Sequence, residues 1–142
     1  MDELTIPFDE LDQVREKYDR GGYSELEECL EEFLKAHAFD LPGFKRWIEE
    51  QHKMEFTLDN TIRHYIREHK SVSTTLDMKD QMKEIRKEKW FRGERHEDDD
   101  IETVCREWIK KYGEAWRLHR VREILYVYGR EKDRYMGLIQ WN

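Results

Sequence analysis

The sequence predicts an all-α protein, an irregular bundle of six or seven helices. Apolar residues recur at helical spacing of three and four residues along most of the chain, and capping and stop signals separate the periodic segments. Although 42% of the 142 residues are charged, 13% are aromatic, which supplies apolar surface for a core. At this length we expect a single helical domain spanning residues 1–142.

The first half of the chain predicts four helices. Pro7 and the Gly21-Gly22 pair delimit a helix over 7–20, and Ser24 with Glu27 has the spacing of a capping box ahead of a helix over 25–38. Asp40 can cap a third helix that fades near Met54. Thr57 or Asp59 opens a fourth, and the β-branched, Ser-rich stretch SVSTT at 71–75 is the candidate linker.

The second half predicts two long helical stretches. Thr74 or Thr75 caps a fifth helix that Gly93 ends, and Asp99 with Glu102 has capping-box spacing for a sixth. The apolar direction of residues 101–112 differs from that of Leu118 to Tyr128 by more than a quarter-turn, which predicts a break or kink at Gly113. We expect residues 123–141 to be helical, with a β-hairpin about GREKDR as the alternative.

Charge is distributed unevenly along the chain. Residues 1–36 carry 12 acidic and 4 basic side chains, within an overall net charge of −7. We therefore expect an acidic N-terminal helical hairpin at 7–38 and a basic, aromatic-rich C-terminal half at 74–142. Such asymmetry suggests an anionic partner, although solvated helix faces also explain it.

The cysteine spacing and the hydropathy of the chain indicate its cellular compartment. Cys29 and Cys105 lie far apart without metal-type spacing, so we expect free thiols and a reducing compartment. The N-terminus lacks a signal-peptide pattern, and no apolar run approaches the roughly 18 residues of a membrane span. We expect a cytoplasmic protein without a membrane partner.

One constellation has the composition of a metal site. Glu49 and His52 precede His64 and Glu68 in a predicted antiparallel helix pair, and paired carboxylate and histidine ligands hold iron or manganese in helical bundles. However, His64 and Glu68 face away from the apolar stripe of helix four. We therefore favour ordinary solvated side chains and expect no cofactor.

The segment RHYIREH, residues 63–69, resembles the short motif of the helical HEPN ribonucleases. The resemblance implies that Arg63 and His69 would bind and protonate around a scissile phosphate. The alternative is a hydrogen-bonded core histidine at position 69. Because phosphate loops, nucleophile elbows and zinc-ligand spacings are not found in the sequence, an enzyme is not favoured.

Basic and aromatic residues alternate in the C-terminal half, and we expect a binding surface that includes Arg92, Arg95, Trp116, Arg117 and Arg120. The favoured function is a small interaction module, a regulator, adaptor or subunit, whose partner is a protein or a second copy. Nucleic-acid binding is the alternative, and a helical ribonuclease is the third hypothesis. An open question is whether the acids at 97–100 hold Arg92 and Arg95 or leave them free.

Overall fold

The computed structural model describes residues 6–141, except for the side chain of Phe8, and this range contains seven α-helices and no strand. The all-α prediction is confirmed. The β-hairpin alternative is wrong, because residues 123–141 form the end of α6, the short helix α7 and a C-terminal turn. The helices are α1 (Phe8–Asp19), α2 (Ser24–Ala36), α3 (Leu41–His52), α4 (Leu58–His69), α5 (Thr74–Glu94), α6 (Ile101–Arg130) and α7 (Lys132–Met136).

The main core surrounds the second half of α6. Residues from Arg120 to Leu125 are all buried, and they include the charged Arg122 and Glu123 as well as Arg120. Helices α1, α2, α4 and α7 pack around it. The largest completely buried side chains include Leu26, Leu30, Ile66, Ile124, Tyr128 and Tyr135.

The helix starts agree with the predictions to within a few residues, but several caps differ. Thr57 accepts a hydrogen bond from the amide of Asn60 at 3.0 Å, as expected for an N-cap. Ser24 does not cap α2, because it is the first residue of that helix. Ser73, rather than Thr74 or Thr75, caps α5 by accepting from the amide of Leu76 at 3.1 Å.

Of the break or kink predicted at Gly113, the break is wrong, because α6 continues without interruption from Ile101 to Arg130. The two apolar directions arise because the helix changes its packing partner. Its first half packs against α5, whereas its second half lies in the main core. A continuous helix with two successive neighbours needs two apolar stripes, so the shift between them does not require a break.

The turn between α5 and α6 also differs from the prediction. Gly93 lies inside α5, and the left-handed residue that follows the helix is His96, with φ of 61°. Asp100, rather than Asp99, caps α6 by accepting from the amide of Thr103 at 2.8 Å. By contrast, Gly21 follows the end of α1 as predicted, and it adopts the left-handed conformation that ends many helices, with φ of 74°.

Helix α5 and the first half of α6 form a helical hairpin that we call the arm, residues 78–116. Among the helix pairs in extensive contact within residues 6–141, α5 pairs only with α6. The described interior of the arm is a small second core of Ile85, Val104 and Trp108. Met82, Cys105 and Trp116 pack against it and stay partly exposed. Within residues 6–141, none of the helices is sufficiently long and apolar to span a bilayer.

Candidate interaction surfaces on the arm

One side of the arm presents an apolar face. Ile101, Cys105 and Ile109 are spaced four residues apart and therefore form one stripe along α6. Together with Met82 of α5 they line a groove of about 520 Å³, whose remaining lining residues are Glu102 and Arg106. Ile101 is 38% exposed and Ile109 is 51% exposed. This face, which we call the apolar face, places large apolar side chains in water.

A second groove between the same helices has a different lining, and we call it the aromatic groove. It has a volume of about 680 Å³. Phe91 and Tyr112 are about half exposed there, whereas Trp108 is buried in the floor. Charges of both signs surround the rings, so the groove has no single electrostatic sign. These charged residues include Lys83, Glu84, Lys87, Glu88 and Arg120.

Arg92 links the two helices of the arm at its tip, which is the end formed by the turn between α5 and α6. Its guanidinium contacts Glu88 at 3.1 Å, Asp99 at 2.9 Å and Glu107 at 2.9 Å. The hydrogen bonds that Arg92 donates to Glu88, Asp99 and Glu107 raise its pKa despite the opposing effect of partial burial. The contacts join the end of α5 to the connecting turn and to α6. Asp99 is therefore used as a partner of Arg92, while Asp100 caps the helix.

Arg95 also has carboxylate partners. Its guanidinium lies 3.4 Å from Glu97 and 3.6 Å from Glu88. Arg92 and Arg95 are therefore both held by neighbouring acids, which answers the question that the sequence left open. Arg117 is exposed on α6.

A buried ionic network lies where the arm meets the main core. Arg120 is 3% exposed and pairs with Asp80 and, through Nε at 3.2 Å, with Asp77. Its guanidinium also lies 4.8 Å from the centre of the Trp116 ring. The predicted binding residues Trp116 and Arg120 thus come together in the lining of the aromatic groove, where Asp77 and Asp80 already hold the charge of Arg120.

Glu123 forms the second centre of this network. Its carboxylate accepts a hydrogen bond from the hydroxyl of Tyr23 at 2.5 Å and lies 3.5 Å from both Lys17 and His119. Glu10 of α1 extends the network, because it contacts His119 and lies 3.2 Å from Arg122. The network therefore joins α1 and the turn before α2 to α6.

Two buried carboxyl groups of the network respond to burial in opposite ways. Burial by itself would raise the pKa of Glu123, but hydrogen bonds from His119 and Tyr23 and nearby positive charges lower it below its ordinary value. Burial raises the pKa of Asp77, against a hydrogen bond from Ser71 and the charge of Arg120. Glu123 is thus stabilised as an anion, whereas Asp77 is not.

The structure does not bring Arg63 and His69 to one site. Arg63 pairs with Asp59 at 3.0 Å and lies 5.1 Å from the ring centre of Tyr128, on α6. His69 instead packs 5.3 Å from the ring of Phe33, on α2. Its Nδ1 lies 3.0 Å from the backbone carbonyl oxygen of Tyr65, one turn earlier on the same helix. The side chains of Arg63 and His69 therefore contact different helices.

The residues of the metal hypothesis also have other partners. Glu49 accepts hydrogen bonds from the amide of Phe56 at 2.8 Å and from Lys45 at 2.9 Å, and these bonds lower its pKa. The rings of His52 and His64 lie 6.0 Å apart, and each also contacts the ring of Phe56. Within the described part of the chain, no three His, Cys, Asp or Glu residues are grouped to hold a metal ion.

No protein family, curated protein or solved structure matches the chain. Sequence reasoning treated residues 101–112 as having a single apolar direction and missed the apolar face, although the spacing of Ile101, Cys105 and Ile109 was visible. It also missed Glu123, whose position among buried apolar residues was the available signal.

Proposed function

We propose that the protein is a small helical interaction module, acting as a regulator, adaptor or subunit, and that the arm is its docking element. The observation that carries this proposal is the exposure of Ile101 and Ile109 on the apolar face of the arm, where Glu102 and Arg106 complete the lining. Contiguous exposed apolar surface with a polar rim is typical of protein interfaces. The free thiols of Cys29 and Cys105 support a role in the reducing cytoplasm.

The charges of the arm favour a protein partner over nucleic acid. Arg92, Arg95 and Arg120 are paired with carboxylates, so a phosphate would have to displace these acids. Exposed rings do not separate the two functions, because Phe91 and Tyr112 are about half exposed and would serve base stacking or apolar docking equally. Apolar docking, however, does not require these ion pairs to break.

A capture experiment with matched variants tests this proposal. The immobilised wild-type protein is compared with Ile109→Lys, which places a charge on the apolar face, and with Met54→Lys. Met54 is a suitable control because it is 60% exposed, close to the 51% of Ile109, and lies in the turn after α3. We expect wild type and Met54→Lys to retain the same protein, including further copies of this chain, and Ile109→Lys to lose it.

Two outcomes would contradict the proposal. Retention of the same polypeptides by wild type and by Ile109→Lys would show that this face of the arm is not used. Binding to nucleic acid that weakens by orders of magnitude between about 50 and 200 mM salt would favour the alternative function, because such dependence reports neutralised phosphates.

A further inference from the structure

We propose that the apolar face binds the same face of a second copy of this chain, in an antiparallel homodimer with the Cys105 of each copy beside the two-fold axis. This inference rests on the proposed function, since it takes the arm as the docking element and names its partner.

The apolar stripe has the symmetry that such a dimer needs. A two-fold interface places one surface patch against itself, so that residue i contacts residue j and j contacts i. Ile101 and Ile109 lie four residues before and four residues after Cys105. Reversing the direction of the helix about Cys105 therefore places Ile101 of one copy opposite Ile109 of the other, and the stripe matches itself.

The charged residues of the same face are also self-complementary. Glu102 and Arg106 are four residues apart and both line the groove next to the stripe. A two-fold axis perpendicular to antiparallel helices brings the same flank of each copy together. Glu102 of one copy then lies within side-chain reach of Arg106 of the other, and the contact occurs twice. A parallel two-fold arrangement would place the charged flanks of the two copies on opposite sides of the interface, so that Glu102 and Arg106 of different copies would not meet.

The small volume of Cys105 suits its place at the axis. The closest approach of two symmetric helices falls on the residue that meets its own copy, and a small side chain there permits that approach. Cys105 is partly exposed and carries a free thiol, so it also reports on the arrangement.

Association is measured first by sedimentation or light scattering between about 1 µM and 1 mM protein, since small interfaces give weak complexes. We expect wild type to dimerise and Ile109→Lys to weaken the dimer at least about tenfold, or about 1.4 kcal/mol. Met54→Lys should dimerise as wild type does. A wild-type protein that stays monomeric at 1 mM would overturn the proposal.

A charge exchange tests the antiparallel register. Glu102→Arg and Arg106→Glu should each weaken dimerisation, because each places like charges opposite each other. The double variant E102R/R106E restores opposite charges and should recover most of the wild-type affinity. Circular dichroism of each variant confirms that it is folded. A double variant at least as weak as the weaker single variant would overturn the proposed register.

Thiol crosslinking locates the axis. A short bis-maleimide should crosslink wild type and Cys29→Ser into covalent dimers, but not Cys105→Ser. A dimer that crosslinks through Cys29 would place the interface elsewhere and overturn the proposal.

The failure of this inference is distinguishable from failure of the proposed function. A monomeric wild type that retains a different protein, and loses it in Ile109→Lys, would overturn the homodimer and keep the docking function. Absence of both self-association and arm-dependent retention would overturn both.

Discussion

The main core and the arm are built from the same kinds of helix but differ in how completely they bury apolar side chains. In the main core, α6 is surrounded by α1, α2, α4 and α7, and Leu30, Ile124 and Tyr128 are inaccessible to solvent. In the arm, two helices face mainly each other. Two helices bury only the faces that they turn towards each other. Ile101, Ile109 and Phe91 lie outside these faces and therefore remain in water.

Because of this difference, the main core contributes most of the folding stability, whereas the arm keeps apolar side chains available for a partner. Burial of apolar surface supplies the favourable free energy of folding, and most of that surface lies in the main core. The apolar side chains of the arm supply less to folding and stay available for a partner. The buried ionic network of Arg120 and Glu123 lies between the two regions, and contacts α1 and α5 as well as α6.

The largest effect is expected from shortening the same residue type in each region. Ile124→Ala in the main core should lower the free energy of unfolding by about 4 kcal/mol, within the range for buried isoleucines. Ile85→Ala in the arm should cost about 2 kcal/mol, because the thinly packed arm can relax around the cavity. Ile85 is 1% exposed and Ile124 is inaccessible, so the two substitutions are matched. Equal losses in urea unfolding would contradict the comparison.

Replacement of the buried carboxylate should have the next largest effect. Glu123→Gln leaves its cationic and hydrogen-bond partners incompletely paired and should cost about 2 kcal/mol at pH 7. Because the folded-state pKa of Glu123 lies below its ordinary value, its contribution is present above about pH 4.5 and is lost as pH falls through the folded pKa.

Urea unfolding between about pH 3 and pH 7 measures this contribution. The stability difference between wild type and Glu123→Gln should narrow towards acid. Glu28→Gln is the control, because Glu28 is exposed on α2 and should change stability little at any of these pH values. A constant difference across the pH range would show that the carboxylate charge is not responsible.

Removal of the arginine at the tip of the arm should act locally. Arg92→Ala loses contacts to Glu88, Asp99 and Glu107, and should speed amide hydrogen exchange at residues 93–100 by about fivefold without changing the main core. Arg95→Ala is the matched control, since Arg95 is 53% exposed by its side chain and should change exchange less. Faster exchange throughout α6 would contradict a local role.

The smallest effect should be a gain in stability at Gly113. A Cβ there would lie 3.4 Å from Cγ2 of Ile109, an ordinary contact, so Gly113→Ala should stabilise the protein by about 0.5–1 kcal/mol. Thermal unfolding measures the change. A loss of stability would indicate that α6 needs glycine at this position for a reason other than helix geometry.

The sequence predicted local features better than tertiary ones. The starts of α4 and α5 and the turn at Gly21 follow from short-range hydrogen bonding and backbone conformation, which neighbouring residues encode. The continuity of α6 depends on a change of packing partner, which periodicity within one helix cannot show. Similarly, Asp99 was predicted as a cap, but its carboxylate is bound by Arg92, seven residues away.

The candidate site was predicted only in part. The sequence indicated that the C-terminal half would carry the binding surface, and Trp116 and Arg120 do line a groove. It could not show that Asp77 and Asp80 hold Arg120, because these contacts join residues 40 or more positions apart. It also could not separate the inner face of α6 from the apolar face, since coverage depends on where α5 lies.

The length of α6 sets the dimensions of any assembly that uses it. Its 30 residues span about 45 Å, and Leu125, in the main core, lies about 30 Å along the helix from Cys105. Two copies joined antiparallel at Cys105 would form a dumbbell with main cores about 60 Å apart. Such a particle could engage two identical sites at that separation, and its avidity would fall where the sites are closer or further apart. The length of the uninterrupted helix would then set the distance between the two main cores.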